Sequence, residues 1–489
     1  MSTSDHRPST GQAHGPNGIK HVDTNLGDIR PNIDLDRIKD RFENEGKRIT
    51  ERLARAEERR KALENLNTKV DHIVVVMLEN RSFDHMLGYL SLEGGRDDID
   101  GLRPGMKNAH NGQDFAPHHL ADTSIEDDPS HTTFSIGQQV ANGNGGFVSN
   151  FAEHYPNADP GTVMGYYNGG DLLTYDYLAR EFTVCQRWFA SLQGMTWPNR
   201  LYATSGQSGG LLNNGDGVLP LYSEPTFFRQ LDSHNRKWRW YRHDFPTLRM
   251  LDDEYRRHHH DNFETIDQFY KDAASGDLRA VSWIDPNYVD LGDEGRANDD
   301  HPPTDVLNAQ QMVADVVRAV TNGPKWEKTL LIVTYDEHGG FFDHVSPPAA
   351  ADDRTGTFQK YGVRVPALVV SPWVPRGSVS SITFDHTSII KTVLTRFCRA
   401  SDGSIPRMSG RVAAANHLGS LLTAPIPRSL SAVTQSAGGA KLEGLRARIQ
   451  AARSRRPAKP RRNLPPNDLQ QQVAAAKAYL ASQGEPVTS

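Results

Sequence analysis

Several things are scarce in this sequence of 489 residues, and each scarcity excludes something. It has two cysteines, Cys185 and Cys398, too few for a disulfide framework. Both sit in apolar settings, FTVCQRWF and VLTRFCRA, where a buried free thiol is the expected state. No apolar run approaches the roughly 20 residues that span a bilayer. The formal net charge of −5 is small for this length, so no global field points to nucleic acid or to a strongly acidic partner. No solenoid-type internal repeat is visible. The opening stretch, MSTSDHRPSTGQAHGPNGIK, has neither an apolar signal core nor a twin-arginine pair before one. It therefore reads as the start of a chain that stays inside the cell, leaves by an atypical route, or is written here without its leader.

What is present is enough apolar residue to bury a large core, in one sizeable α/β domain or two smaller ones. Residues 1–33 are polar and contain Gly and Pro, the composition of a segment without a core. From 34 to 70, Leu35, Ile38, Phe42, Ile49, Leu53 and Leu63 recur at mostly helical spacing among Glu, Arg and Lys. This predicts an amphipathic helix, read as a docking or oligomer element ahead of a membrane binder. A catalytic domain is expected over 71–424. Residues 425–489 form a basic, helix-like tail, broken at Pro457 and Pro460 and read either as a solvated segment or as one attracted to anionic lipid.

Within the central region, HIVVVMLEN (72–80) is a continuous apolar run ending in an acid and an amide, the pattern of a strand buried on both faces. TLLIVTYDEHGG (329–340) repeats that form, and RAVSWIDP (279–286) and VPALVVSP (365–372) are two shorter apolar strands closed by Pro. Between them, PPTDVLNAQQMVADVVRAVTNG has a cap at Thr304 or Asp305, an apolar stripe and a terminal Asn-Gly. Strands alternating with helices predict an α/β fold, a mainly parallel sheet sandwiched between helices. Ligands collect at the carboxyl ends of such strands. Glu79 and Asn80, and Asp336 and Glu337, both follow buried strands, so they are expected at one edge of the sheet. Carboxylates brought together repel unless a cation intervenes, so a divalent metal is the economical reading, against the plain alternative of helix caps and loop ion pairs.

Histidines add to this. His131 lies in DPSHTTF, His301 in NDDHPPTD, His338 and His344 in DEHGGFFDH, and His386 in FDHTS. Several loop histidines beside acids suggest ligands, general acids or phosphate donors. His386 reads equally well as the opening of the helix HTSIIKTVLTRF, and the HHH run at 258–260 as an exposed loop cluster. In MTWPNR (195–200), Pro198 suits the first turn of a helix, which sets Thr196 beside free backbone N–H groups that attract anions. A hydroxyl is a weak nucleophile until a metal or base takes its proton. Arg200, one turn on, would pair with a phosphoryl oxygen or buttress the loop. The Thr-x-Pro-x-Arg spacing is similar to the Cys/Ser-x-Pro-x-Arg signature of sulfatases. A threonine cannot be oxidised to their aldehyde, so direct attack by the hydroxyl is the expected chemistry.

Taken in order, HIVVVMLENRSFDHMLGYL, DPSHTTFSIGQQVANGNGGFV, MTWPNRLYATSG, DDHPP, TYDEHGGFFDHVSPP and VPALVVSPWVPRGSVSSITFDHTSIIKTVLTRF resemble the bacterial phospholipase C and acid phosphatase family of phosphoesterases, in the alkaline-phosphatase-like superfamily. The resemblance spans about 71–400. It implies an alkaline-phosphatase-like α/β sandwich and hydrolysis of a phosphate ester through a covalent phosphoenzyme. It implies Glu79, Asn80, Asp336 and Glu337 as the metal and phosphate shell, and Thr196 as the nucleophile and a metal ligand. It implies His131, His301 and His344 as donors to phosphate or leaving group, with Asp300 as a further candidate. The cofactor expected is a divalent ion. Zinc is favoured by the histidines and a nucleophile at neutral pH, calcium or magnesium by the hard oxygen shell. The substrate implied is a phosphatidylcholine-like phospholipid, with peripheral membrane contact; a small phosphate monoester is the alternative, and a non-catalytic lipid-binding or effector protein is an alternative of another class. Trp188, Trp197, Tyr166, Tyr167 and WRWY (238–241) would form either an aromatic wall for a quaternary ammonium or ordinary core.

Overall fold

The computed structural model describes residues 35–215, 222, 224–243, 245–251, 260–288, 297–429, 442–455 and 466–484. The polar start at 1–33, His258, His259, Pro457 and Pro460 lie outside the described residues. The chain divides into a unit of residues 1–57 and a unit of residues 58–489. Of the first, the described part is the helix α1 (Leu35–Lys69) as far as Glu57, where Ile49 and Leu53 are exposed. The end of α1 belongs to the second unit, where Leu66 is buried and Lys69 Nζ donates to the carbonyl of Leu422 at 2.7 Å.

An eight-stranded sheet organises the second unit. Its strands, in chain order, are β1 (His72–Leu78), β2 (Thr183–Cys185), β3 (Trp238–Arg242), β4 (Phe263–Thr265), β5 (Val281–Ile284), β6 (Thr329–Tyr335), β7 (Ala367–Val370) and β8 (Val379–Ser380). Across the sheet they run β8-β2-β7-β6-β1-β5-β3-β4. All neighbours pair in parallel except at β7, which is antiparallel to both β6 and β2. The apolar run at 365–372 is thus a strand, as expected, but runs against the others. Direction is set by the connections, which composition does not encode.

Both central strands are apolar on alternate residues in both directions, and Ile73–Leu78 and Thr329–Tyr335 are buried throughout. Such strands need cover on both faces. The helices supplying it include α2 (Thr196–Ser205), α3 (Val306–Asn322), capped by Asp305 as the sequence suggested, and α4 (Thr387–Phe397). The α/β sandwich with a mainly parallel sheet therefore holds.

The described helices of the tail pack their apolar residues away from solvent. Helix α5 (Leu442–Arg455) buries Leu442, Leu445 and Ile449, and Arg453 donates to the carbonyl of Leu307 at 2.9 Å. The following α6 (Asp468–Ser482) buries Leu469, Val473, Ala476 and Leu480. Cys185 and Cys398 are free and buried. Among the described residues no helix is long and apolar enough to cross a membrane.

Candidate active site

Strand register builds the site. Leu78 of β1 lies beside Tyr335 of β6. The next residues, Glu79 and Asp336, therefore leave the sheet level with each other on adjacent strands. Asn80 turns the chain with φ 56°, a left-handed conformation that Asn tolerates better than most residues. Its amide donates to Asp336 Oδ1 at 3.2 Å, and the Glu337 amide donates to the same oxygen at 2.7 Å. Gly339, at φ 62°, passes so close that a Cβ there would lie 2.2 Å from the Asn80 carbonyl oxygen.

Helix α2 brings the nucleophile candidate. Thr196 Oγ1 donates to Glu79 Oε2 at 3.2 Å. Thr196 is the first residue of the helix, with Met195 at the cap, so it lies one position further in than the sequence suggested. Its neighbour's amide is already used: Trp197 N donates to Asn214 Oδ1 at 2.9 Å, and Pro198 has none. Little of the helix terminus is left to attract an anion. Arg200 is buried, and its guanidinium is engaged within the protein. Its Nε donates to Glu79 Oε1 at 2.9 Å, its Nη2 bonds the same oxygen and the Met77 carbonyl, and Asp336 Oδ2 lies 3.6 Å from Nε. These contacts are those of a buttress to the strand end.

Electrostatics give this cluster its chemical character. Glu79, Asp336 and Glu337 are all buried, with Arg200 against Glu79 and Asp336 and the rings of His131 and His338 beside Glu337. Burial pushes the Glu79 carboxyl well above its usual range; Arg200 offsets this in part and Asp336 adds to it. Burial opposes ionisation of Glu337 too, but His131 and His338 outweigh it and hold that carboxyl below its ordinary value. Asn80 Oδ1, Asp336 Oδ2 and Glu337 Oε1 are buried with no hydrogen-bond partner. Unpartnered buried oxygens are costly, and these face a surplus of negative charge. The donor set of Glu79, Asn80, Thr196, Asp336 and Glu337 fits a divalent cation, by hard oxygen atoms alone.

Two histidines flank the cluster. His131 directs Nδ1 to the Pro129 carbonyl at 2.9 Å, leaving Nε2 3.4 Å from Asn80 Nδ2 and 3.8 Å from Glu337 Oε1. Burial disfavours its charged form, but Glu337, Asp128 and Asp468 outweigh that and push the ring up to about 10. His301 directs Nδ1 to the Pro302 carbonyl at 2.7 Å, with its ring centroid 5.8 Å from that of His131. Its Nε2 is buried without a hydrogen-bond partner.

Other expected residues lie elsewhere. His344 is bound through Nδ1 to Asp84 Oδ2 at 2.6 Å and through Nε2 to Asp100 Oδ1 at 3.2 Å, with Arg364 bridging Asp84 and Asp343. Both its nitrogens bond within that network. Asp300 Oδ2 accepts from Tyr335 at 2.6 Å and from Tyr175 at 3.1 Å, its Oδ1 is buried without a hydrogen-bond partner, and burial pushes its carboxyl up to about 7. Its neighbour Asp299, which the sequence reading passed over, is nearer the chemistry. The Asp299 carbonyl accepts from the Glu79 amide at 2.8 Å, its Oδ1 accepts from the His301 amide at 3.1 Å, and burial pushes it up to about 7. His386 Nε2 lies 2.6 Å from the Asp336 carbonyl and steadies the strand end, and His338 lies 3.3 Å from Glu337 Oε2. The aromatic wall is not formed: Trp188, Trp197, Trp238, Trp240 and Tyr241 are core, with Trp240 stacked on Trp283.

Residues 70–398 match the model of the Phosphoesterase family. Non-specific phospholipase C6 of Arabidopsis thaliana is 36% identical over 372 residues, 68% of each chain. Phospholipase C B of Mycobacterium tuberculosis is 30% identical over 394 residues, 68% of this chain and 74% of that one. A solved member of the alkaline phosphatase superfamily from Vibrio parahaemolyticus aligns over 73% of this chain and 79% of that one, at 10% identity and a TM-score of 0.36. The chain belongs to the Phosphoesterase family and is a phosphoric ester hydrolase.

Proposed function

We propose that this chain is a phospholipase C acting on phosphatidylcholine-like lipids through a phosphothreonine on Thr196. The observation that carries the reading is the Thr196 hydroxyl, 3.2 Å from Glu79 Oε2, in a buried wall whose Asn80, Asp336 and Glu337 oxygens lack partners. A divalent cation held by Glu79, Asn80, Thr196, Asp336 and Glu337 would ease loss of the threonine proton and neutralise phosphoryl charge. Zinc is the ion that a threonine nucleophile at neutral pH favours; calcium and magnesium suit the all-oxygen donor set.

Thr196 Oγ attacks phosphorus in line, passing its proton to Glu79 Oε2, the carboxylate oxygen it already bonds, and forming the Oγ–P bond as the bond to the departing alcohol breaks. His301 gives that alcohol its proton from Nε2. His131, kept charged by the acids around it, donates to a phosphoryl oxygen. Water then attacks the phosphothreonine with the neutral His301 accepting its proton, while Glu79 Oε2 returns a proton to Thr196 Oγ as the Oγ–P bond breaks, so that Thr196, Glu79 and the ring regain their starting states. The names of the plant and mycobacterial relatives support a lipid diester over a monoester.

The test compares a soluble short-chain phosphatidylcholine with p-nitrophenyl phosphate, before and after chelation and metal readdition. Diester preference that is lost on chelation and restored by metal is expected. Preference for the monoester would make the chain a phosphatase, and binding of the lipid without turnover would make it a lipid-binding protein.

A further inference from the structure

The family match ends at 398, yet the site does not. The N-terminal tip of α6, in the tail, reaches His301. Asn467 caps that helix through Oδ1, which accepts from the Gln470 amide at 2.8 Å, and turns Nδ2 to the Pro302 carbonyl at 3.3 Å, beside His301 Nδ1. Asp468 follows. Its Oδ1 lies 3.9 Å from His301 Nε2 and accepts from the Leu469 amide at 2.8 Å, and its Oδ2 accepts from Asn214 Nδ2 at 2.8 Å. Asn214 is the residue that also accepts from the Trp197 amide, next to the nucleophile. The Asp468 carboxylate is thus fixed by the chain's own donors and tied to the helix that carries Thr196.

We propose that Asp468 is a positioning residue of the active site, its carboxylate holding the His301 imidazolium aimed at the leaving oxygen, so that the C-terminal helix is a working part of the phosphoesterase. This rests on the reading of His301 as the proton donor. The charged groups facing His301 are Asp128, whose Oδ2 lies 3.8 Å from Nε2, Asp299, His131 and Asp468. Burial pushes Asp128 up despite the imidazoles beside it. At Asp468 His131, His301 and Asn214 outweigh burial and hold the carboxyl below its ordinary range. Of the two carboxylates in front of Nε2, Asp468 is the one whose oxygens are both held by donors of the chain, whereas Asp128 Oδ1 is buried without a hydrogen-bond partner.

Three measurements on the full chain test this. Asp468→Asn keeps the shape and the Asn467 cap but removes the charge. On dihexanoyl phosphatidylcholine, whose alkoxide must be protonated to leave, kcat should fall by about tenfold or more. On p-nitrophenylphosphorylcholine, whose phenolate leaves unprotonated, it should fall by less than about twofold. Asp468→Glu should recover much of the first loss. Equal falls on both substrates, or none on either, would overturn the proposal. Bound metal per chain should be the same in wild type and Asp468→Asn; loss of one equivalent would make Asp468 a metal ligand and overturn it too. Should the wild type turn over neither substrate, the proposed function fails, but nitrogen NMR of His301 still decides: its imidazolium signal at neutral pH should give way to the neutral form in Asp468→Asn, and an unchanged signal would refute the positioning role.

Discussion

Arg200→Met removes the cation that, among the described residues, is paired with Glu79. In the metal-free protein this leaves a buried carboxylate without its partner, beside Asp336. Breaking a buried pair from one side costs about 3–5 kcal/mol. The unit of residues 58–489 should have an unfolding entropy near 0.9 kcal/mol/K, at roughly 2.1 cal/mol/K per residue, so the loss corresponds to about 3–6 °C in Tm. The sign with pH follows from Glu79, whose folded pKa already lies above its ordinary value. Its ionised form costs stability, and that cost is absent at acid pH and grows as pH rises. Losing Arg200 raises it further, so the variant's deficit should be largest at alkaline pH and shrink toward acid pH, where Glu79 takes a proton instead. A divalent ion should then repair more in the variant than in the wild type. At a hundredfold excess over Kd a ligand adds about 2.7 kcal/mol, and tighter binding adds more. The assay is thermal unfolding in chelator and in metal, for both proteins, at two pH values. A gap between the two conditions that is no wider in Arg200→Met than in wild type would refute the view that Arg200 and the metal share the task of neutralising this cluster.

Two further perturbations follow from the same geometry. Asp300 is pushed up to about 7 in the fold, so it favours the protonated state; its stability cost appears above its unfolded pKa and grows until pH passes about 7. Asp300→Asn, which keeps an acceptor for Tyr175 and Tyr335, should match the wild type near pH 4 and exceed it by about 2–4 kcal/mol near pH 8, read by denaturant unfolding; a constant difference across that range would contradict the assignment. Gly339→Ala would force a Cβ to 2.2 Å from the Asn80 carbonyl in a left-handed backbone, so it should lower Tm and weaken metal binding together. Calorimetry showing wild-type metal affinity would separate Gly339 from the cradle.

How far the sequence revealed this site depends on the kind of information each residue carries. Glu79, Asn80, Asp336 and Glu337 were legible because long apolar strands advertise their ends, and the rule that sites form at carboxyl edges needs no tertiary detail. Thr196 was legible from its family-like spacing, though the capping of Trp197 by Asn214 was not, since nothing local marks a partner 17 residues away. In DDHPP the choice between Asp299 and Asp300 could not be made from composition. The left-handed turn at Asp300, φ 73°, accompanies a side chain that bonds two tyrosines from other elements, while Asp299 stays beside Glu79 and His301. His344 followed the acid-rich loop pattern but found Asp84 and Asp100, acids more than 240 residues distant. Asn467 and Asp468 carried no signal of function at all, because a basic tail gives no hint of where one of its helix tips will dock.

The most direct test is the modification of Thr196 itself. Incubation with p-nitrophenylphosphorylcholine, rapid acid quench and mass spectrometry of the peptides should find a transferred phosphoryl-containing adduct on Thr196. Thr196→Ala should show neither adduct nor turnover while melting like the wild type. Near-normal turnover in Thr196→Ala, or an adduct on another residue, would contradict the account.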